Sequence, residues 1–96
     1  QLYILPAILI APLYEEILFR GVLLPKLIQK TGLTNALIIT SLLFAALHFH
    51  LPALLPLFAL SILLSLVYWW SGSLWNCIAI HMLFNAGSIA FLIANN

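Results

Sequence analysis

Charge is what this chain of 96 residues has least of: 5% of its side chains are Asp, Glu, Lys or Arg, where a soluble domain carries about 25%. That scarcity excludes an ordinary soluble domain. The three basic residues, Arg20, Lys26 and Lys30, form no patch able to follow a phosphate backbone, so no nucleic-acid partner is expected. Cys77 is the single cysteine, which rules out an intrachain disulfide. There is no Gly-rich phosphate loop, no Gly-x-Ser-x-Gly and no His-Glu-x-x-His, so the signatures of soluble serine hydrolases and metalloproteases are missing. No basic start followed by a short apolar run and a cleavage site marks a signal peptide. The chain opens on Gln1 and is expected to be part of a longer protein.

What the chain does have is apolar sequence from end to end: 66% hydrophobic residues and a mean hydropathy of +1.23. Long apolar segments joined by short turns predict an all-α, polytopic transmembrane bundle of about four helices. Residues 1–96 read as one domain, the core of a larger membrane protein. The first segment runs from Leu2 to Lys30 and is expected to be kinked or split by Pro6, Pro12 and Pro25. Thr31-Gly32 would stop it, and Thr34-Asn35 would cap a second helix ending at His48. Pro52 marks a turn after His48. A third helix is expected from Ala53 to Trp70, with Pro56 tolerated near its start. A fourth runs from Leu74 to Ala94, after the turn Ser71-Gly72-Ser73 and an aromatic belt of Tyr68, Trp69, Trp70 and Trp75. Lys26 and Lys30 place the first loop on the cytoplasmic side, residues 49–53 outside and residues 71–73 inside.

Against this background the run Glu15-Glu16-Ile17-Leu18-Phe19-Arg20 stands out, because it holds both acidic residues of the chain. Charge within hydrocarbon is costly unless it is paired or lines a wet cavity. The other polar residues of the apolar segments include His48, His81 and Asn85. At a helical rise of about 1.5 Å per residue, Glu15 lies roughly 22 Å from Lys30 and His48 roughly 21 Å from Thr34. By the same rise His81 and Asn85 lie roughly 12 and 18 Å from Ser73. All three origins fall on one side of the membrane, so the first, second and fourth helices bring their polar groups to a single layer.

Glu16 and Arg20 are four residues apart and share a helix face, so they can pair. Glu15 is rotated roughly 100° from Glu16 and is left to face a substrate or water, as a general base or acid would. A buried ion pair that merely joins helices is the alternative. His48 joins Glu15 by depth, with Phe44 one turn back as a packing wall for the imidazole. His81 and Asn85, also four apart, can aim hydrogen-bond donors at one point. That suits an oxyanion, and it equally suits interhelical polar glue. Cys77 is read as a buried packing residue and His50 as solvated. Ser41, Ser61, Ser65 and Ser88 are read as hydroxyls bonded back to their own turns.

Three motifs in order, EEILFR from Glu15, FAALH from Phe44 and HMLFN from His81, resemble the CAAX-protease and bacteriocin-processing (Abi) family of intramembrane endopeptidases, to which the Ras-converting CAAX prenyl endopeptidase is related. Their patterns are Glu-Glu-x-x-x-Arg, Phe-x-x-x-His and His-x-x-x-Asn. The resemblance covers essentially the whole chain. It implies a peptidase acting on a membrane-tethered peptide, prenylated or bacteriocin-like, in contact with membrane lipids. It further implies that Glu15 and His48 activate the attacking water, that Glu16 held by Arg20 supports the site, and that His81 and Asn85 stabilise the oxyanion. The family has also been described as metalloproteases, in which case Glu15, His48 and His81 would be the ligands of a zinc ion. The metal-free mechanism is the preferred expectation, with no cofactor required. The expected location is the bacterial cell membrane, the site opening towards the cytoplasmic side. The competing function is a non-catalytic peptide-binding, immunity or scaffold protein using the same cavity; a proton pathway and a bis-histidine haem protein stand further off.

Overall fold

The computed structural model describes residues 9–96; the expected start of the first helix and its Pro6 lie outside them. Among the described residues the chain is helical throughout, without strands. Helix α1 (Ala11–Glu16) runs into a π-helical stretch (Ile17–Leu23) and then α2 (Leu24–Thr31). Helices α3 (Leu33–Ala46), α4 (Leu54–Ser71) and α5 (Leu74–Ala94) follow, with a single 3₁₀ turn at Leu51–Ala53.

The prolines explain how the first segment is divided. Pro12 and Pro25 each fall in the first turn of an α-helix, where proline is tolerated. Pro25 still offers nothing to the carbonyl one turn back. The chain widens there instead of breaking: the N–H of Leu24 reaches the carbonyl of Phe19, five residues earlier. The expected kink is thus a π-helical turn, a feature that recurs at functional sites. It carries Phe19 and Arg20, both buried.

Gly32 ends α2 at φ 87°, its N–H bonded to Ile28 O at 2.9 Å. Helix α3 begins at the next residue, two positions before the expected cap at Asn35. Asn35 instead donates through Nδ2 to Thr31 O at 3.2 Å, covering a terminal carbonyl of α2. Helix α3 also ends earlier than expected, at Ala46, and His48 and Phe49 continue as tight turns bonded to Ala45 O and Ala46 O. Phe49 sits at φ 52°. Gly72 closes α4 in the left-handed conformation at φ 68°, where a β-carbon would be strained. The Ser73 hydroxyl caps α5 by accepting from the N–H of Asn76 at 3.4 Å.

Helix α3 packs against α2 and α4, and α5 packs against α4 and α1, so the four segments close around one interior. That interior mixes an apolar cluster of Phe19, Phe44, Leu60, Leu64 and Cys77 with buried polar side chains: Glu16, Arg20, Thr40, Ser41, Ser61, Ser65 and His81. Large apolar residues such as Leu42, Leu55, Trp70 and Leu83 cover the outside. A surface of this kind suits lipid, and a polar interior suits a site. Among the described residues two helices are long and apolar enough to cross a membrane, Leu51–Ser71 and Leu74–Ala94, with mean hydropathies of 2.2 and 1.9. Helix α3 is shorter, about 21 Å at the helical rise against a hydrocarbon core of about 30 Å.

Candidate functional site

Helix α3 stops short, so His48 is held in the turn at its end, beside the middle of α5. The imidazole is fixed by its own helix: Nδ1–H donates to the carbonyl of Phe44 at 2.6 Å. That bond puts the proton on Nδ1 in the neutral ring and leaves the Nε2 lone pair facing outward. It points toward Glu15, whose Oε2 lies 3.8 Å away. The separation is too long for a direct hydrogen bond and is a span that one water can bridge. Glu15 and His48 are the accessible members of the group, with side chains 31% and 30% exposed.

Glu16, next in sequence, points the other way and is fully buried. Its Oε2 accepts from Arg20 Nη1 at 3.2 Å and from His81 Nδ1–H at 2.7 Å. The second bond fixes the orientation of the His81 ring and turns Nε2 toward Glu15 Oε1, 3.4 Å away. A carboxylate behind an imidazole holds the ring in orientation and balances its charge when it takes up a proton.

Arg20 is also fully buried, and four hydrogen bonds hold it. Nε donates to Ser65 Oγ at 3.3 Å and Nη2 to the carbonyl of Ser61 at 2.9 Å; Nη2 also reaches Ser61 Oγ. The guanidinium carbon stands 4.8 Å from the Phe44 ring centroid, within cation–π range. The same ring lies 4.8 Å from the His48 ring and 5.7 Å from that of His81, centroid to centroid. Phe44 is therefore the wall expected for His48 and also the floor under Arg20.

The structure brings Glu15, His48 and His81 to one point and sets Glu16 and Arg20 directly behind them. Asn85 is half-buried one turn beyond His81 and has interactions of its own. Two serines escaped the sequence reading. Ser61 and Ser65 do not serve their own turns; they hold Arg20, so α4 belongs to the site as well. The available signal was their spacing of four on an otherwise apolar helix. Cys77 packs as expected, its thiol donating to Leu64 O at 3.3 Å. His50 is exposed in the turn after His48.

The placement of His48 bears on access. Its turn lies at the opposite end of α3 from Gly32, away from Lys26 and Lys30. Glu15 and His48 supply the accessible face of the site.

A zinc ion held by Glu15, His48 and His81 would need their lone pairs to converge on one centre. Among the described residues no group of three or more His, Cys, Asp or Glu side chains is arranged to hold a metal ion. Glu15 bridges the two imidazoles with separate oxygens, and His81 has a carboxylate at each nitrogen.

No curated protein and no solved structure matches the chain significantly. A protein family does: the one described as type II CAAX prenyl endopeptidase Rce1-like matches over residues 2–87, a span that holds every side chain of the site. With that match, a helical bundle with two membrane-length helices and ionisable groups gathered in its interior, the chain belongs to the Rce1-like family of type II CAAX prenyl endopeptidases, a family of membrane proteases whose substrates are prenylated proteins at the membrane.

Proposed function

We propose that the chain is the catalytic core of an intramembrane endopeptidase in which Glu15 and His48 activate a water against a peptide carbonyl. The observation that carries this reading is the approach of Glu15 Oε2 and His48 Nε2 to 3.8 Å, with the other imidazole nitrogen tied to Phe44 O on the far side. A water between them donates one hydrogen to each and turns a lone pair outward to the substrate. Attack forms the C–O bond while the proton passes to Glu15. His81, backed by Glu16, carries a proton on Nε2 and, with the Asn85 amide, donates to the oxyanion. Collapse breaks the C–N bond, and the proton from Glu15 passes to the leaving amine. No step uses a metal.

The substrate we propose is a prenylated CAAX-type peptide; a bacteriocin-like precursor is the second member of the same class. The full-length protein should release the three C-terminal residues of a quenched fluorescent peptide bearing a farnesylated CAAX end. The unfarnesylated peptide should be cut at least tenfold more slowly, since the lipid holds the chain at the membrane. Equal rates on both would remove the prenyl group from the substrate definition. A non-catalytic peptide-binding protein predicts binding of the farnesylated peptide with no product at any enzyme concentration.

For the topology we propose that Lys26 and Lys30 face the cytoplasm of a bacterial cell. Cysteines introduced as Lys30→Cys and Asn95→Cys should react with a membrane-impermeant maleimide from opposite faces of sealed vesicles, Lys30→Cys from the cytoplasmic one. Labelling of both from one face contradicts this placement.

A further inference from the structure

We infer that Ser61 and Ser65 on α4 are positioning residues for catalysis: through Arg20 they set the Glu16 carboxylate that orients His81. The inference rests on the proposed peptidase reading and extends the site to a helix that none of the three sequence motifs touches.

The geometry is a chain of named bonds. The two serine side chains are fully buried, four residues apart on one face of α4. Together they take the donors on two sides of the guanidinium: Nε goes to Ser65 Oγ, and Nη2 goes to Ser61 through both its hydroxyl and its carbonyl. The remaining nitrogen, Nη1, is thereby aimed at Glu16 Oε2, the oxygen that also accepts from His81 Nδ1–H. An arginine has several rotatable bonds and would otherwise sample many placements. Contacts along the plane of the guanidinium and the Phe44 ring beneath it fix both its position and its tilt. A shift of Nη1 moves Oε2, and Oε2 turns the ring whose Nε2 meets Glu15 at 3.4 Å. Misplacing a catalytic group by a fraction of an ångström costs rate more than binding. The serines are fully buried, whereas the proposed reacting pair Glu15 and His48 is accessible, so removal of the serines should leave KM alone.

The test compares kcat and KM of the full-length protein with those of Ser61→Ala/Ser65→Ala and Ser61→Thr/Ser65→Thr, with Glu15→Gln as the blank. Both serines are changed together because the Ser61 carbonyl survives either single substitution. The alanine pair should lose tenfold or more in kcat with KM within twofold of wild type, and the threonine pair, which keeps both hydroxyls, should recover most of that loss. Wild-type kcat in the alanine pair, or a loss confined to KM, overturns the inference. A wild-type protein that cleaves nothing removes the peptidase reading, and the clamp is then read by unfolding in detergent. There the alanine pair should lower the midpoint in the Arg20 protein and leave it unchanged in Arg20→Lys, whose ammonium lacks the Nε–H and the fork. Equal lowering in both backgrounds overturns the clamp itself.

Discussion

Glu15→Gln should reduce cleavage by about 10²–10⁴-fold, the range that a positioned general base contributes, while the protein still inserts and keeps its unfolding midpoint. Glutamine is the same size but accepts no proton. Two features make the expected loss large. Glu15 is the one carboxylate of the site with an accessible side chain, and it lies between both imidazoles, 3.4 Å from His81 and 3.8 Å from His48. The same substitution at Glu16 acts differently, because Glu16 is fully buried and already accepts from Arg20 and His81. Glu16→Gln should lose both stability and rate. Kinetics and detergent unfolding on the two variants together separate a reacting carboxylate from a supporting one. A Glu15→Gln protein with wild-type rate would remove Glu15 from the chemistry.

Arg20→Ala should be the most destabilising single change in the bundle, about 3–5 kcal/mol, the cost of stripping one partner from a buried ion pair. Four hydrogen bonds and a ring contact are lost, and the Glu16 carboxylate keeps its burial with only His81 beside it. The double variant Arg20→Met/Glu16→Gln, which removes both charges, should recover most of the stability and none of the activity. Chemical unfolding of the three proteins in one detergent measures this. Additive losses in the double variant would show that the two residues are not a pair.

Much of this arrangement was legible before any coordinates, because a membrane leaves polar residues few reasons to exist. Glu15, Glu16, Arg20, His48 and His81 are conspicuous in apolar sequence, and the helical rise alone brought three helices to a common depth. The spacing of four between Glu16 and Arg20 gave their pairing, and the 100° step gave the opposite facing of Glu15. Gly32 and Gly72 marked helix ends through their positive φ. Local pattern failed where tertiary partners decide. Nothing in the sequence around Ser61 and Ser65 says that a hydroxyl will meet an arginine more than forty residues away instead of its own turn. Pro25 announced an interruption without saying that the helix would widen into a π turn. Helix α3 has the expected length but lies two residues earlier in the chain, Leu33–Ala46, and at its C-terminal end that shift puts His48 in a turn, where its Nδ1–H can reach back to Phe44 O.

The central claim is that Glu15 and His48 activate water directly. The measurement that tests it is single-turnover cleavage of the farnesylated CAAX peptide by the purified full-length protein in a strong zinc chelator, with Glu15→Gln alongside. The account predicts an undiminished wild-type rate in chelator and no product from Glu15→Gln. Wild-type cleavage that vanishes in chelator and returns with added zinc would contradict it, and would make Glu15, His48 and His81 ligands instead.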